Sequence, residues 1–178
     1  MKRLVRFLVA LCGIGLASCG GGGGATATAT VTNLDSDVAK WVGTPCGVTS
    51  TYTVLPDDLN VTLAAFPFPS TSNTVNEAVL VNSVDIVYSP ANTISPPLPS
   101  PAPMTLVGTR VEMGNSVTIA VRVAPQDFKG ALPLRALRCS SIIYSYYVTM
   151  TFHCQYYKAG DTFDVSAQSN IRFADFVN

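Results

Sequence analysis

The C-terminal third of the chain alternates apolar and polar side chains with a period of two. From Tyr146 to Tyr157, Val148, Met150, Phe152 and Cys154 fall on one side, and Thr149, Thr151, His153 and Gln155 on the other. A Lys158-Ala159-Gly160-Asp161 turn follows. Beyond it Phe163, Val165, Ala167, Ile171 and Phe173 alternate with Asp164, Ser166, Gln168, Asn170 and Arg172. A helix repeats every 3.6 residues and cannot gather such a pattern on one face, whereas a strand does so automatically. The two runs predict a long antiparallel hairpin with one dry and one wet face. A one-faced sheet must bury that face against a second layer, and this constrains everything upstream.

Upstream segments supply more strands. Val117, Ile119, Val121 and Val123 alternate with Thr118, Ala120, Arg122 and Ala124, and Gly114-Asn115 suits a tight turn back to Val107–Met113. Ala78, Leu80, Val84, Ile86 and Tyr88 form another predicted face, with Ser83 and Asp85 opposite. Val48–Leu55 and Asn60–Phe66 are two further candidates, separated by Pro56-Asp57-Asp58, where Asp suits a turn. Helical periodicity is confined to a turn within Asp127–Leu137, limited by Gly130 and Pro133. Six of the 12 prolines lie between Pro90 and Pro103, predicting a stiff polyproline II loop across one end of the domain.

Strands with polar outer faces and no interleaved helices point to an antiparallel sandwich. Glu77 to Asn178 spans about the 100 residues of one immunoglobulin-like unit. The strand count and the final long hairpin resemble immunoglobulin-like and fibronectin-type modules of bacterial surface proteins. The antibody hallmark is missing, since no Trp lies between two cysteines at the expected spacing and the one Trp is Trp41. The resemblance implies an all-β, immunoglobulin-like antiparallel β-sandwich over 31–178. Its core would be about 77–178, with extra N-terminal strands from 31–75.

The start of the chain reads as an address. Lys2, Arg3 and Arg6 precede an apolar stretch from Phe7 to Leu16, too short for a membrane-spanning stop-transfer helix. Leu16-Ala17-Ser18-Cys19 resembles the lipobox of bacterial lipoproteins. The resemblance implies a signal peptide over 1–18, removal of that peptide, and acylation of Cys19, which then holds the protein on a lipid bilayer. Gly20 after the Cys implies an outer-membrane anchor, on the periplasmic side or at the cell surface. Residues 19–30, with five glycines and the Ala/Thr repeat Ala25–Thr30, predict a flexible tether.

Charge narrows the partners. The chain has 11 basic and 11 acidic residues, and three of the basic ones lie in the leader. No basic excess exists to neutralise phosphates, which excludes nucleic acid as a partner. Catalytic signatures are also missing. His153 is the one histidine, no Cys-x-x-Cys-His or Gly-x-Ser-x-Gly run occurs, and no four metal ligands converge by spacing. No catalytic residue, metal or cofactor is implied. Tyr144, Tyr147 and Tyr157 are candidates for a binding surface, while Tyr146 and Tyr156 read as core.

Beyond Cys19, Cys46, Cys139 and Cys154 remain for an exported, oxidising setting. Cys139 and Cys154 would be roughly 40 Å apart along an extended strand at about 3.3 Å per residue, too far to bond. Cys154 shares the apolar face of Phe152. The expected disulfide is therefore Cys46–Cys139, with Cys46–Cys154 as the alternative. Together these readings predict a non-catalytic structural or binding module of the cell envelope, facing an envelope protein or a glycan. The alternatives are a surface adhesin or carbohydrate-binding module, or a strand-exchanging filament subunit; a hydrolase is the weakest reading.

Overall fold

The computed structural model describes residues 25–42, 45–47, 50–67 and 78–176. The leader, Cys19 and the five glycines lie outside the described residues. The fold is all-β. In chain order its elements are β1 (Ala25–Val31), β2 (Leu34–Asp37), β3 (Lys40–Val42), β4 (Thr51–Thr53), β5 (Asp57–Pro67) and β6 (Ala78–Pro90). Then come β7 (Met104–Glu112), β8 (Ser116–Ala124), the short helix α1 (Gln126–Gly130), a 3-10 turn (Leu134–Leu137), β9 (Tyr144–Tyr156) and β10 (Thr162–Ala174). Three sheets form, ordered β1-β5-β8, β2-β10-β9-β6-β7 and β3-β4. The five-stranded sheet is curled like half a barrel.

The C-terminal hairpin has the expected faces. Val148, Met150, Phe152, Cys154, Val165, Ile171 and Phe173 are buried. The inward position between Ala167 and Ile171 belongs to Ser169, which is also buried, and its Oγ donates to the Thr32 carbonyl at 2.7 Å. That bond and Asn170 N to Asn33 Oδ1 at 3.1 Å fix the point where the chain passes from the three-stranded to the five-stranded sheet. β2 then runs parallel to β10.

Four expectations are corrected. Ala25–Thr30 is not tether but strand: β1 pairs antiparallel with β5 and buries Ala29. Small and β-branched residues alternating with period two satisfy a sheet as well as a linker. On β6 the inward parity changes midway. Val79 and Val81 are buried, then Val84, Ile86 and Tyr88. Leu80 therefore does not share a face with Val84. The register shifts between Val81 and Ser83 against both neighbouring strands: against β9 Asn82 is the extra residue of a β-bulge, and against β7 the surplus residues, 106–108, lie on β7. The Val48–Leu55 strand shrinks to β4, which pairs only with β3; residues 48–49 lie outside the described residues. Finally, Asp57 and Asp58 are not a turn but the first residues of β5, with a register shift between them.

A buried ion pair sits at this end of β5. Lys129 of α1 is only 1% exposed. A buried ammonium is costly unless it is paired. Its Nζ lies 2.9 Å from Asp57 Oδ2, and the buried Ser36 hydroxyl donates to the same oxygen. Asp58, next in sequence, faces outward and takes both Nε and NH2 of Arg122, at 3.0 and 3.3 Å. Successive strand residues point to opposite faces, so the two adjacent carboxylates meet two cations on opposite faces. Beside the pair, Tyr88 stacks on Phe128 at 5.3 Å and Phe173 meets Tyr146 edge-on at 5.9 Å. The Tyr88 hydroxyl, its pKa raised chiefly by burial, donates to the Val123 carbonyl and so ties the two large sheets together.

Removing one member of the pair strands the other. Asp57→Ala should cost about 3–5 kcal/mol in urea unfolding, because it leaves Lys129 as an uncompensated buried charge. The double variant Asp57→Leu with Lys129→Met should recover most of that loss. A double variant as unstable as Asp57→Ala would show that the charges contribute more than their shared volume.

Candidate functional site

The domain has two unlike poles. At one, β1 starts at Ala25 opposite Pro67 of β5, the Met113–Asn115 turn joins β7 to β8, and the Tyr157–Asp161 turn joins β9 to β10. At the other lie the ends of β2, β6, β8 and β10 and the starts of β5 and β9. This second pole carries the β3–β4 ribbon, α1, the 3-10 turn, and the start of the proline-rich loop.

The ribbon is clamped to that pole by a cluster drawn from distant parts of the chain. Trp41 and Tyr52 are cross-strand partners with rings edge to face at 5.2 Å. The Arg138 guanidinium lies over the Tyr52 ring at 4.4 Å, and its NH1 donates to the Tyr52 hydroxyl at 2.6 Å. Asp175 accepts from Trp41 Nε1 at 2.8 Å and from the Cys139 backbone N–H at 2.5 Å. Cys46 and Cys139 are joined in a disulfide, with Cα atoms 5.6 Å apart. Both cysteines take the left-handed backbone conformation, at φ 60° and 59°. The two sulfurs approach the Asp175 carboxylate, but being bonded to each other they offer no thiolate to a metal. Cys154 is free and buried, and burial pushes its thiol pKa up to about 12. Nothing local in the sequence pairs Trp41 with Asp175, which is 134 residues away.

The three tyrosines expected to share a surface do not. Tyr147 is 46% exposed at the start of β9, and Tyr157 is 52% exposed just past its end. Ten residues of strand separate them, about 33 Å at 3.3 Å per residue. Tyr144 is half-buried and packs against the core. Arg110 covers the Tyr157 ring at 4.2 Å. Tyr147 is left among Ser89 and Asn170, its direct cross-strand neighbours. Tyr146 and Tyr156 are buried, and the Tyr146 hydroxyl donates to the Pro96 carbonyl at 2.8 Å. That bond, with Ser145 N to Ser95 Oγ at 2.8 Å, docks the proline-rich loop on β9.

A cleft of about 790 Å³ opens where that loop approaches α1 and β8. Pro101, Pro103, Met104 and Phe128 form its apolar walls, and Asp58, Arg122 and Asp127 its charged parts. Asp58 and Arg122 are spent on each other. The charged residues bring no imidazole or thiol into the cleft.

Exposed apolar side chains gather at the ribbon pole. Val42, Leu55, Ile94, Leu132, Ile142 and Ile143 all lie there and are between 42% and 66% exposed. They sit in loops and at strand ends, so no period-two pattern flagged them.

The clamp predicts a specific peptide map. Digestion without reduction should yield a Cys46–Cys139 cross-linked peptide, and Cys154 should be alkylated only after unfolding. Cys46→Ser should cost about 4.6 kcal/mol in the chain-entropy model for a loop of this size, the partners being 93 positions apart. A cross-linked peptide containing Cys154 would overturn the pairing.

No family model, no curated protein and no solved structure matches the chain.

Proposed function

We propose that this chain is an exported lipoprotein, anchored through acylated Cys19. It presents one immunoglobulin-like β-sandwich as a non-catalytic binding module of the cell envelope, on an outer-membrane lipid anchor. The leader ending Leu16-Ala17-Ser18-Cys19 supports the anchor. The Cys46–Cys139 disulfide fits the oxidising compartment that export implies. Strand order supports the immunoglobulin-like reading. Taking β5, β6, β8, β9 and β10 as strands B, C, E, F and G puts B beside E in one sheet and C, F, G together in the other.

The observation that carries the binding role is the polarity of the domain. β1 begins at Ala25, six positions after Cys19, so an anchored domain turns its ribbon pole away from the lipid. That is the pole where the exposed aliphatic side chains gather. Concentrated apolar exposure marks interaction sites. Its aliphatic character favours an envelope protein over a glycan, because such side chains give sugar hydroxyls no hydrogen-bond partner. A strand-exchanging filament subunit is less well supported. Of the two edges of the larger sheet, β7 is interrupted by Gly108 at φ 79°, and β2 has four residues.

Two measurements test the two halves. Cys19→Ser should abolish labelling by radioactive palmitate and release the protein from membranes; lipid label persisting on that variant would remove the anchor. A photo-cross-linking residue at Ile142, at the far pole, should capture an envelope protein in cells, and one at Phe66, at the near pole, should not. Equal capture from both poles would refute the polarity.

A further inference from the structure

The wet face of β6, β9 and β10 holds one cluster of titratable groups, centred on His153. On that face His153 stands opposite Ser83 of β6 and Asp164 of β10. Its Nδ1 lies 2.8 Å from Asp164 Oδ1, and its Nε2 lies 3.0 Å from Asp85 Oδ2. The two carboxylates approach opposite edges of the ring, so the group cannot converge on one metal ion. An ionised carboxylate only accepts hydrogen bonds, and a neutral imidazole has one N–H to give. Only the imidazolium donates to both. The contact also falls at a weak point. The bulge at Asn82 interrupts the ladders of β6 with both β7 and β9, and Ser83, the next residue, is the one paired with His153.

We propose that His153 is a pH-responsive staple. As an imidazolium it links β6 and β10 across β9 beside the bulge, and loss of its proton releases one carboxylate and loosens the sheet there.

The surrounding charges are few. β6 contributes Asp85 and β10 contributes Asp164, while the neighbours of His153 on the same face of β9 are Thr151 and Gln155. On β7, beyond β6, Arg110 is engaged by Glu112 at 2.7 Å and by the Tyr157 ring. The hydrogen bond to Asp85, then that to Asp164, holds the imidazole pKa above its ordinary 6.5, with slight burial opposing them. A folded-state pKa above the unfolded one gives stability that is complete below about pH 6.5. That stability is lost as the pH rises through the folded value. The chain has one histidine, so one imidazole signal reports the event without assignment.

The test uses the full chain. Proton NMR of the His153 ring should give a pKa above 6.5, and Asp85→Asn and Asp164→Asn should each bring it down. In urea, raising the pH from 6 to 8.5 should increase the unfolding constant of the wild type about three- to tenfold more than that of His153→Gln. The amino terminus is common to both chains and cancels. A ring pKa at or below 6.5, or one unmoved by either Asp variant, overturns the staple. So does an identical pH dependence in His153→Gln. If His153→Gln fails to fold, the ring pKa values of the wild type and the two Asp variants decide alone.

Discussion

A fully buried ammonium cannot be accommodated by packing alone, and the ribbon pole is organised around that demand. Lys129 enters on α1, Asp57 on the first residue of β5, and Ser36 on β2. These elements belong to the helix and to the two large sheets, so one carboxylate oxygen fixes all three relative to each other. Strand alternation turns Asp57 inward and leaves Asp58 outside, where it holds Arg122. The same register brings Val123 under the Tyr88 hydroxyl and Phe128 onto the Tyr88 ring. Buried ion pairs seldom add net stability over an apolar replacement. What this pair supplies is a defined position for α1, and through α1 for the cleft and the chain leading to Cys139.

The disulfide works at longer range on the same pole. The ribbon contributes only three-residue strands and pairs with neither large sheet. Such a two-stranded piece is marginal by itself. Asp175, Arg138 and the Cys46–Cys139 bond supply what the hydrogen-bond ladder does not. Lys129 thus positions the base of the pole, and the clamp holds its outer layer against that base.

Legibility in the sequence follows the range of the interaction that sets each feature. β8, β9 and β10 were readable because one buried face imposes period two on consecutive residues. β6 was readable as a strand but not in its parity, since one extra residue at Asn82 flips every side chain beyond it. β1 carried the strand signal in its Ala/Thr alternation, but composition alone suggested a linker. Lys129 had no local signal, because its partner lies 72 residues earlier. The cysteines were the long-range exception. The length of β9 excludes Cys139 from Cys154, and the apolar face of Phe152 takes in Cys154, so local arguments alone pointed to Cys46 and Cys139.

The two poles and the wet sheet face differ in structural character. At the pole of Ala25, β1 pairs with β5 from Ala25 to Val31, so a pull on that end would load the ladder in shear. The opposite pole concentrates the irregular backbone, and loops held on a rigid scaffold are where binding residues accumulate. Between them the outer face of β9 is polar, carrying Thr149, Thr151 and the Asp85–His153–Asp164 bridge. That bridge spans the three central strands just where the bulge weakens them. A change in its protonation, in the proposed staple, therefore acts on the body of the domain that connects the two poles.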